Sequence, residues 1–262
     1  MATRQQGNTN LLRDGSWEVD LVEGVRAIAT PSGAELAVDC ELSDARRREL
    51  QEGPLRALNC LVSGGAALHG SAVGIDGLGI AFLGFTGQGK STLTSEFVRR
   101  GASLVSDGLV CVDANGLLQI GQQRIKMREP GMRIHGFEPE AHEPVHELSD
   151  KRVIYPDATT NGHSPPLQLK YAFILEVGTE AELKPLRPSE RIKLLVLHSY
   201  LVRALPTSLQ AMILDRAATL AQRCDVVRLV RSDRTEELPD LFQLVRTHLR
   251  SRRSGQDLDF NA

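Results

Sequence analysis

The chain has little of several things that would place it in other classes of protein. Its four cysteines, Cys40, Cys60, Cys111 and Cys224, are spread through 262 residues. They are too scattered for a zinc pattern and too few for a disulfide scaffold, so they read as small buried apolar residues in a reducing compartment. Net charge is scarce too, at −2, whereas a protein that grips nucleic acid without sequence preference is ordinarily basic. No apolar run approaches the length of a membrane span, and Met1 to Asn10 lack the apolar core of a secretory signal. There is no internal repeat and no linker rich enough to split the chain. What remains is an ordinary globular composition, 41% hydrophobic and 24% charged, ample for a buried core. A cytoplasmic protein with neither nucleic acid nor membrane as partner is expected.

Against that background one stretch is highly specific. Gly84-Phe85-Thr86-Gly87-Gln88-Gly89-Lys90-Ser91, continuing Thr92-Leu93, fits the phosphate-binding loop pattern G-x-x-x-x-G-K-[ST] at every fixed position. The strand-like run Leu78 to Leu83 precedes it, and Ser91 to Arg100 reads as a helix ending at Gly101. The glycines let successive backbone N–H groups turn inward toward phosphate oxygens, and the helix adds its positive end. Lys90 suits the outer phosphates and the Ser91 hydroxyl suits Mg²⁺. Gly84, Thr86, Gly87, Gln88, Gly89, Lys90, Ser91 and Thr92 are therefore the candidate nucleotide-binding residues, with ATP and Mg²⁺ as the implied ligands.

The rest of the chain is arranged around that loop. After a polar start to about residue 15, Trp17 to Val22, Val25 to Ala29 and Glu35 to Asp39 alternate like an antiparallel meander. Ser43 to Leu61 reads as helix, broken by Pro54. Ala66 to Gly77 resembles two short strands around an Asp76-Gly77 turn, leading into the strand before the loop. Downstream, Ala102 to Asp107 and Leu109 to Asp113 each read as a strand ending in a carboxylate. Either acid could reach Mg²⁺, and pattern alone does not choose between them. Residues 120 to 168 are polar and proline-punctuated, as in a substrate loop or flap. His142 and His146 within it are four apart, but Pro144 lies between them and a solvated loop is the plainer reading. Leu169 to Val177 and Cys224 to Val230 read as strands. Ser189 to Ala204, Ser208 to Arg223 and Thr235 to Leu249 read as helices. The organisation expected is an N-terminal β-rich extension with a helix (1–60) packed on a main domain (61–250), then a disordered tail (251–262).

The combination Leu68-His69-Gly70-Ser71-Ala72-Val73, the loop through Leu93, and Arg100-Gly101-Ala102-Ser103-Leu104-Val105-Ser106-Asp107 resembles the catalytic domain of bacterial HPr kinase/phosphorylase. It is more similar still to the short HPr-kinase-like proteins that lack that enzyme's N-terminal domain. Some of these phosphorylate a serine of a lasso-peptide precursor. The specific match covers about residues 66 to 110, with weaker similarity through Arg124 to Arg128, Lys151-Arg152, Tyr171 to Leu175 and Val226 to Val230. The resemblance implies an α/β P-loop nucleoside-triphosphate fold of the HPr kinase type, with a central mixed sheet and flanking helices. It implies ATP-dependent transfer to a serine hydroxyl of a peptide or small protein, with self-association left open. It further implies that Asp107, rather than Asp113, takes the acceptor's proton and shares Mg²⁺ with Ser91, that His69 lies close to that carboxylate with a chemical role of its own, and that Lys90 serves the phosphates, so that Asp107, His69 and Lys90 are the candidate catalytic residues.

Two departures stand out. Family members typically carry a second aspartate directly after the first, and here that position is Gly108. The later glutamate–arginine signature of true HPr kinases is also not evident, which argues against HPr as substrate and against the reverse, phosphorylase reaction. A small-molecule hydroxyl kinase and a nucleotide-binding regulator with little catalysis are the alternatives.

Overall fold

The computed structural model describes residues 9–12, 16–22, 24–30, 32–156, 166–200, 202, 205, 207–232 and 234–253. The predicted loose N-terminus and the predicted tail lie largely outside these residues, although the last helix itself runs on to Arg253.

A mixed six-stranded sheet forms the centre. Its strands are β6 (Gly70–Ile75), β7 (Leu78–Leu83), β8 (Ser103–Ser106), β13 (Leu169–Val177), β14 (Glu182–Pro185) and β15 (Asp225–Arg231). They lie in the order β14-β15-β13-β7-β6-β8. β13 runs parallel to both β7 and β15, while β6, β8 and β14 are antiparallel to their neighbours. Alternation along each strand divides the core in two. Ile80 and Phe82 of β7, Phe173 and Leu175 of β13 and Leu229 of β15 face the helices α3 (Lys90–Arg99) and α7 (Leu238–Arg253). Ala81, Leu83, Ala172, Ile174 and Val226 face α5 (Pro188–Leu197) and α6 (Thr207–Arg223). On the first face Phe82 and Phe97 lie with ring centroids 5.0 Å apart, and Phe97 meets Phe242 edge-on at 4.8 Å. These are the separations at which aromatic pairs add to burial.

The β6–β7 connection shows how a short sequence signal fixes geometry. Asp76 and Gly77 have φ of 52° and 76°, the two left-handed central residues of the tight hairpin turn that matches strand twist. The turn sets Ile75 opposite Leu78 and, at the other end, Gly70 opposite Leu83, so the strand that launches the P-loop lies beside the one that follows His69.

The N-terminal meander is present as β1 (Thr9–Leu11), β2 (Trp17–Val22), β3 (Val25–Thr30) and β4 (Gly33–Val38), paired in that order. The following helix differs from the expected break. α1 (Asp44–Leu50) and α2 (Arg56–Val62) are joined by a π-helical turn, Gln51–Leu55, that contains Pro54. Proline has no N–H to give and its ring clashes with the preceding turn; the wider π turn accommodates both without ending the helix. α2 packs Ala57, Leu58 and Leu61 against Val19 and Ala27 of the meander and against Leu109 and Cys111. Those last two come from the main body, where β5 (Ala66–Leu68), β9 (Val110–Val112) and β10 (Leu118–Gln119) form a small sheet.

The stretch read as one irregular segment, 120 to 168, is organised around a two-stranded antiparallel ribbon of β11 (Ile125–Arg128) and β12 (Lys151–Ile154), with the short helix α4 (Glu129–Ile134) between them. Each strand is four residues long, too short to show a period in sequence. Residues 157–165, part of the expected flap, lie outside the described residues. Among the described residues no helix is long and apolar enough to cross a membrane.

Candidate active site

The parallel strands β7, β13 and β15 end at one edge of the sheet, where open α/β sheets build their sites. There β7 leads into the loop 84–89 and then α3. Gly87 and Gly89 have φ of 91° and 84°, which only glycine adopts without strain. A Cβ at Gly89 would in addition stand 3.1 Å from the Arg231 guanidinium. Arg231, at the end of β15, donates from Nε to the Gln88 carbonyl at 2.9 Å and so ties the loop to the sheet. Inside the loop the Phe85 N–H donates to the Gln88 side-chain oxygen.

Lys90 donates from Nζ to the carbonyls of Gly84 at 2.8 Å and Phe85 at 2.9 Å, which curls the ammonium back over the loop. Burial first, then the charge of Lys151, pushes its pKa down to about 8, with Asp107 opposing. It remains largely a cation at neutral pH.

Asp107 follows the edge strand β8 and is 2% exposed. Three elements converge on it. The Ser71 hydroxyl donates to Oδ1 at 2.5 Å, the Ser91 hydroxyl to the same oxygen at 3.0 Å, and the Lys126 backbone N–H to Oδ2 at 2.8 Å. The carboxylate thus bridges the P-loop helix, β6 and β11, and its orientation is fixed by donors whose own backbones are in regular structure. Asp113, the other candidate acid, sits in the β9–β10 turn. There its Oδ1 accepts the N–H groups of Asn115 and Leu117, both at 2.8 Å, an Asx turn with no share in the site.

His69 lies between β5 and β6, its N–H donating to the His198 carbonyl at 2.7 Å. Burial, then Lys90, Lys151 and His198, lowers its pKa to about 4, against the pull of Asp107. The imidazole is neutral at physiological pH. It shares a cavity with the carboxylate and makes no hydrogen bond to it; its ring instead faces Tyr200 at 6.0 Å.

These residues open on one cavity of about 340 Å³. Thr86, Gly87, Gly89, Lys90, Ser91 and Thr92 line one part of it, together with His69 and Asp107. Gly84 and Gln88 are not on its wall; they act from behind, as acceptor for Lys90 and as brace of the loop. Three further bases, Lys126, Arg128 and Lys151, come from the β11–β12 ribbon, and Arg231 and Arg234 close another side. Pro130, Ile134, Leu238 and Leu241 give the cavity an apolar stretch. Gly108, with φ of 88°, faces the same ribbon: a Cβ there would meet the Lys126 ammonium at 3.3 Å. Where relatives are expected to carry a second carboxylate, this chain therefore has a neighbouring cation. His142 and His146 engage separate partners, the Val153 carbonyl and the Arg46 guanidinium. Among the described residues no group of three or more His, Cys, Asp or Glu converges as a metal site.

Several of these residues went unassigned in the sequence. Ser71 lies within the quoted His69 segment, two residues on, and its role follows only from β6 pairing with β8. Lys126 and Arg128 show the i, i+2 spacing of one strand face, a signal too brief to read alone. Arg231 reaches the loop from 143 positions away, and nothing local announces it.

Fold and site together define a class: a P-loop α/β protein whose mixed sheet presents a buried carboxylate beside the loop serine. No family model matches the chain. Curated relatives narrow the class. The HPr kinase/phosphorylases of two Treponema pallidum strains, one of them strain Nichols, are each 36% identical over 97 residues, 36% of this chain and 29% of the relative. The chain is HPr-kinase-like over that segment, and it spans 29% of the length of the curated relatives it matches. The solved HPr(Ser) kinase/phosphatase from Coxiella burnetii aligns at a TM-score of 0.35 and 11% identity, covering 71% of this chain and 98% of that one. That distant likeness adds nothing to the fold already described.

Proposed function

We propose that the protein is an ATP-dependent kinase that transfers the γ-phosphoryl group to a serine hydroxyl of a peptide or small protein. The observation that carries this reading is the 3.0 Å contact between the Ser91 hydroxyl and the Asp107 carboxylate, in a cavity walled by the phosphate loop and by the bases of the β11–β12 ribbon. A nucleoside triphosphate laid along the loop would meet the N–H groups of 87 to 91 and the Lys90 ammonium. Ser91 and Asp107 offer a hydroxyl and a carboxylate, the sparse oxygen donor set that suits Mg²⁺ arriving with phosphates and water. When bound there, the metal would neutralise phosphate charge.

The chain's own residues account for the rest. Asp107 accepts the serine proton as the serine oxygen bonds to the γ-phosphorus and the bond from that phosphorus to the departing ADP oxygen breaks. A serine hydroxyl is a weak nucleophile, so a fixed acceptor for its proton matters. Lys90 balances charge that spreads over the phosphoryl oxygens. Neutral His69 keeps a polar edge at the cavity without adding an extra cation. The resemblance to HPr kinases supports the serine acceptor. Gly108, and the Lys126 ammonium beside it, weigh against simple equivalence with those enzymes.

The test is incubation of the full chain with γ-labelled ATP and Mg²⁺, offering serine-containing peptides and small hydroxyl metabolites as acceptors. Label in a peptide, lost when its serine is replaced by alanine, is the expected result. Label only in a metabolite would make the protein a small-molecule kinase. Tight ATP binding with neither transfer nor hydrolysis would make it a regulator.

A further inference from the structure

The β11–β12 ribbon carries a charge pattern beyond what the proposed chemistry uses. Residues opposite each other in an antiparallel pair share a face. The register Arg128↔Lys151 and Lys126↔Val153 therefore puts Lys126, Arg128 and Lys151 on one face, with Arg152 on the other. Arg152 donates to the His142 carbonyl at 3.0 Å, whereas the other three line the cavity. Like charges directly opposite on paired strands are destabilising, and two of the three bases have a carboxylate to offset this. Lys126 meets Glu49 at 2.9 Å and Arg128 meets Asp150 at 2.6 Å. The Lys151 ammonium, half-buried, has neither a hydrogen bond nor an ion pair among the described residues. Burial lowers its pKa, as do Lys126 and Arg128, while Asp107 opposes. A sequestered cation without a partner costs free energy that a bound anion would return.

We propose that Lys151 is a catalytic residue, a second cation besides Lys90 that contacts the transferring phosphoryl group. The inference rests on the kinase reading and adds to it. Lys151 is near enough to Lys90 and His69 to lower the pKa of both, so the two ammonium groups flank a common space beside Asp107. In the transfer Lys151 stays protonated and only donates hydrogen bonds. The oxygen–phosphorus bond to the acceptor forms, the bond to ADP breaks, and the proton goes to Asp107. A cation supplied from the ribbon would also make up for the sparse metal ligation that Gly108 leaves.

Titration calorimetry in Mg²⁺ with ADP alone, and with ADP plus aluminium fluoride as a phosphoryl mimic, tests this on the full chain. Lys151→Met should bind ADP within about twofold of the wild type, yet lose roughly 100-fold in affinity for the fluoride complex and a similar factor in kcat. Lys151→Arg should restore most of both, and circular dichroism should show both variants folded. A folded Lys151→Met that binds the fluoride complex as the wild type does overturns the assignment, as does a loss confined to the KM of the acceptor. A wild-type chain that binds neither ADP nor the complex would sink the nucleotide reading itself, a result distinct from failure of the lysine alone.

Discussion

On the proposed reaction Asp107 is the residue that takes the acceptor's proton, and its surroundings say how a change there should read out. Its oxygens meet Ser71, Ser91 and the Lys126 N–H, and an asparagine of the same shape would keep much of that network while losing the basic oxygen. Asp107→Asn should therefore fold and bind ATP as the wild type does. Lys90→Ala is expected to fail earlier, at nucleotide binding, because the loop loses its one lysine; ATP affinity by calorimetry separates the two variants. Lys90 was legible because a phosphate loop is a local pattern with fixed spacing, and Asp107 was singled out only by the resemblance. Spacing could not choose between Asp107 and Asp113. That choice depends on which strand borders β6, and in the fold β8 does, while Asp113 is consumed by its own turn.

At the scale of elements, the contact between α1 and the ribbon is the one most open to test. Glu49 of α1 meets Arg124 at 2.7 Å through one oxygen and Lys126 at 2.9 Å through the other. These side chains are between 10% and 16% exposed, so the cluster is largely desolvated. Breaking such an arrangement from one side leaves bases without a counter-charge. Glu49→Gln should cost roughly 3 kcal/mol of stability, somewhat less to the extent that Glu52 still holds Arg124; urea unfolding measures it. A loss below about 0.5 kcal/mol would show that water already reaches the cluster. None of this was legible beforehand. Glu49 looks like any acid on a helix surface, and its partners lie 75 and 77 positions away. The helix itself was legible from its period, as was the trouble at Pro54. The π turn that absorbs the proline instead of breaking the helix was not, because it depends on packing of α2 against the meander.

For the whole molecule, buried His198 and half-buried His69 tie stability to pH. Burial, followed by Lys90, lowers His198 to about 4, and His69 is lowered to a similar value. Between pH 4 and 6.5 the unfolded chain takes up protons at both rings that the folded chain refuses, so the unfolded state binds more protons. Their contribution is complete above pH 6.5 and is lost as pH falls toward 4. The slope should reach up to about 1.4 kcal/mol per pH unit for each histidine. Urea midpoints between about pH 4.5 and 7 should fall less steeply in a His69→Gln, His198→Gln double variant than in the wild type. Equal slopes would mean that the rings titrate as if exposed. The individual strands and helices follow from runs and periods the sequence displays openly, whereas their assembly into a mixed sheet was implied by the resemblance. The ribbon within 120 to 168 and the basic wall it presents are not displayed that way, because both rest on pairings between segments far apart in the chain.

The most direct measurement of the central claim is single-turnover loss of γ-phosphate from pre-bound ATP, with acceptor peptide and Mg²⁺, for Asp107→Asn and Asp113→Asn side by side. The account predicts that Asp107→Asn slows transfer by roughly two to four decades with ATP affinity kept, and that Asp113→Asn transfers as the wild type does. Wild-type transfer by Asp107→Asn, or the large loss appearing in Asp113→Asn instead, would contradict it.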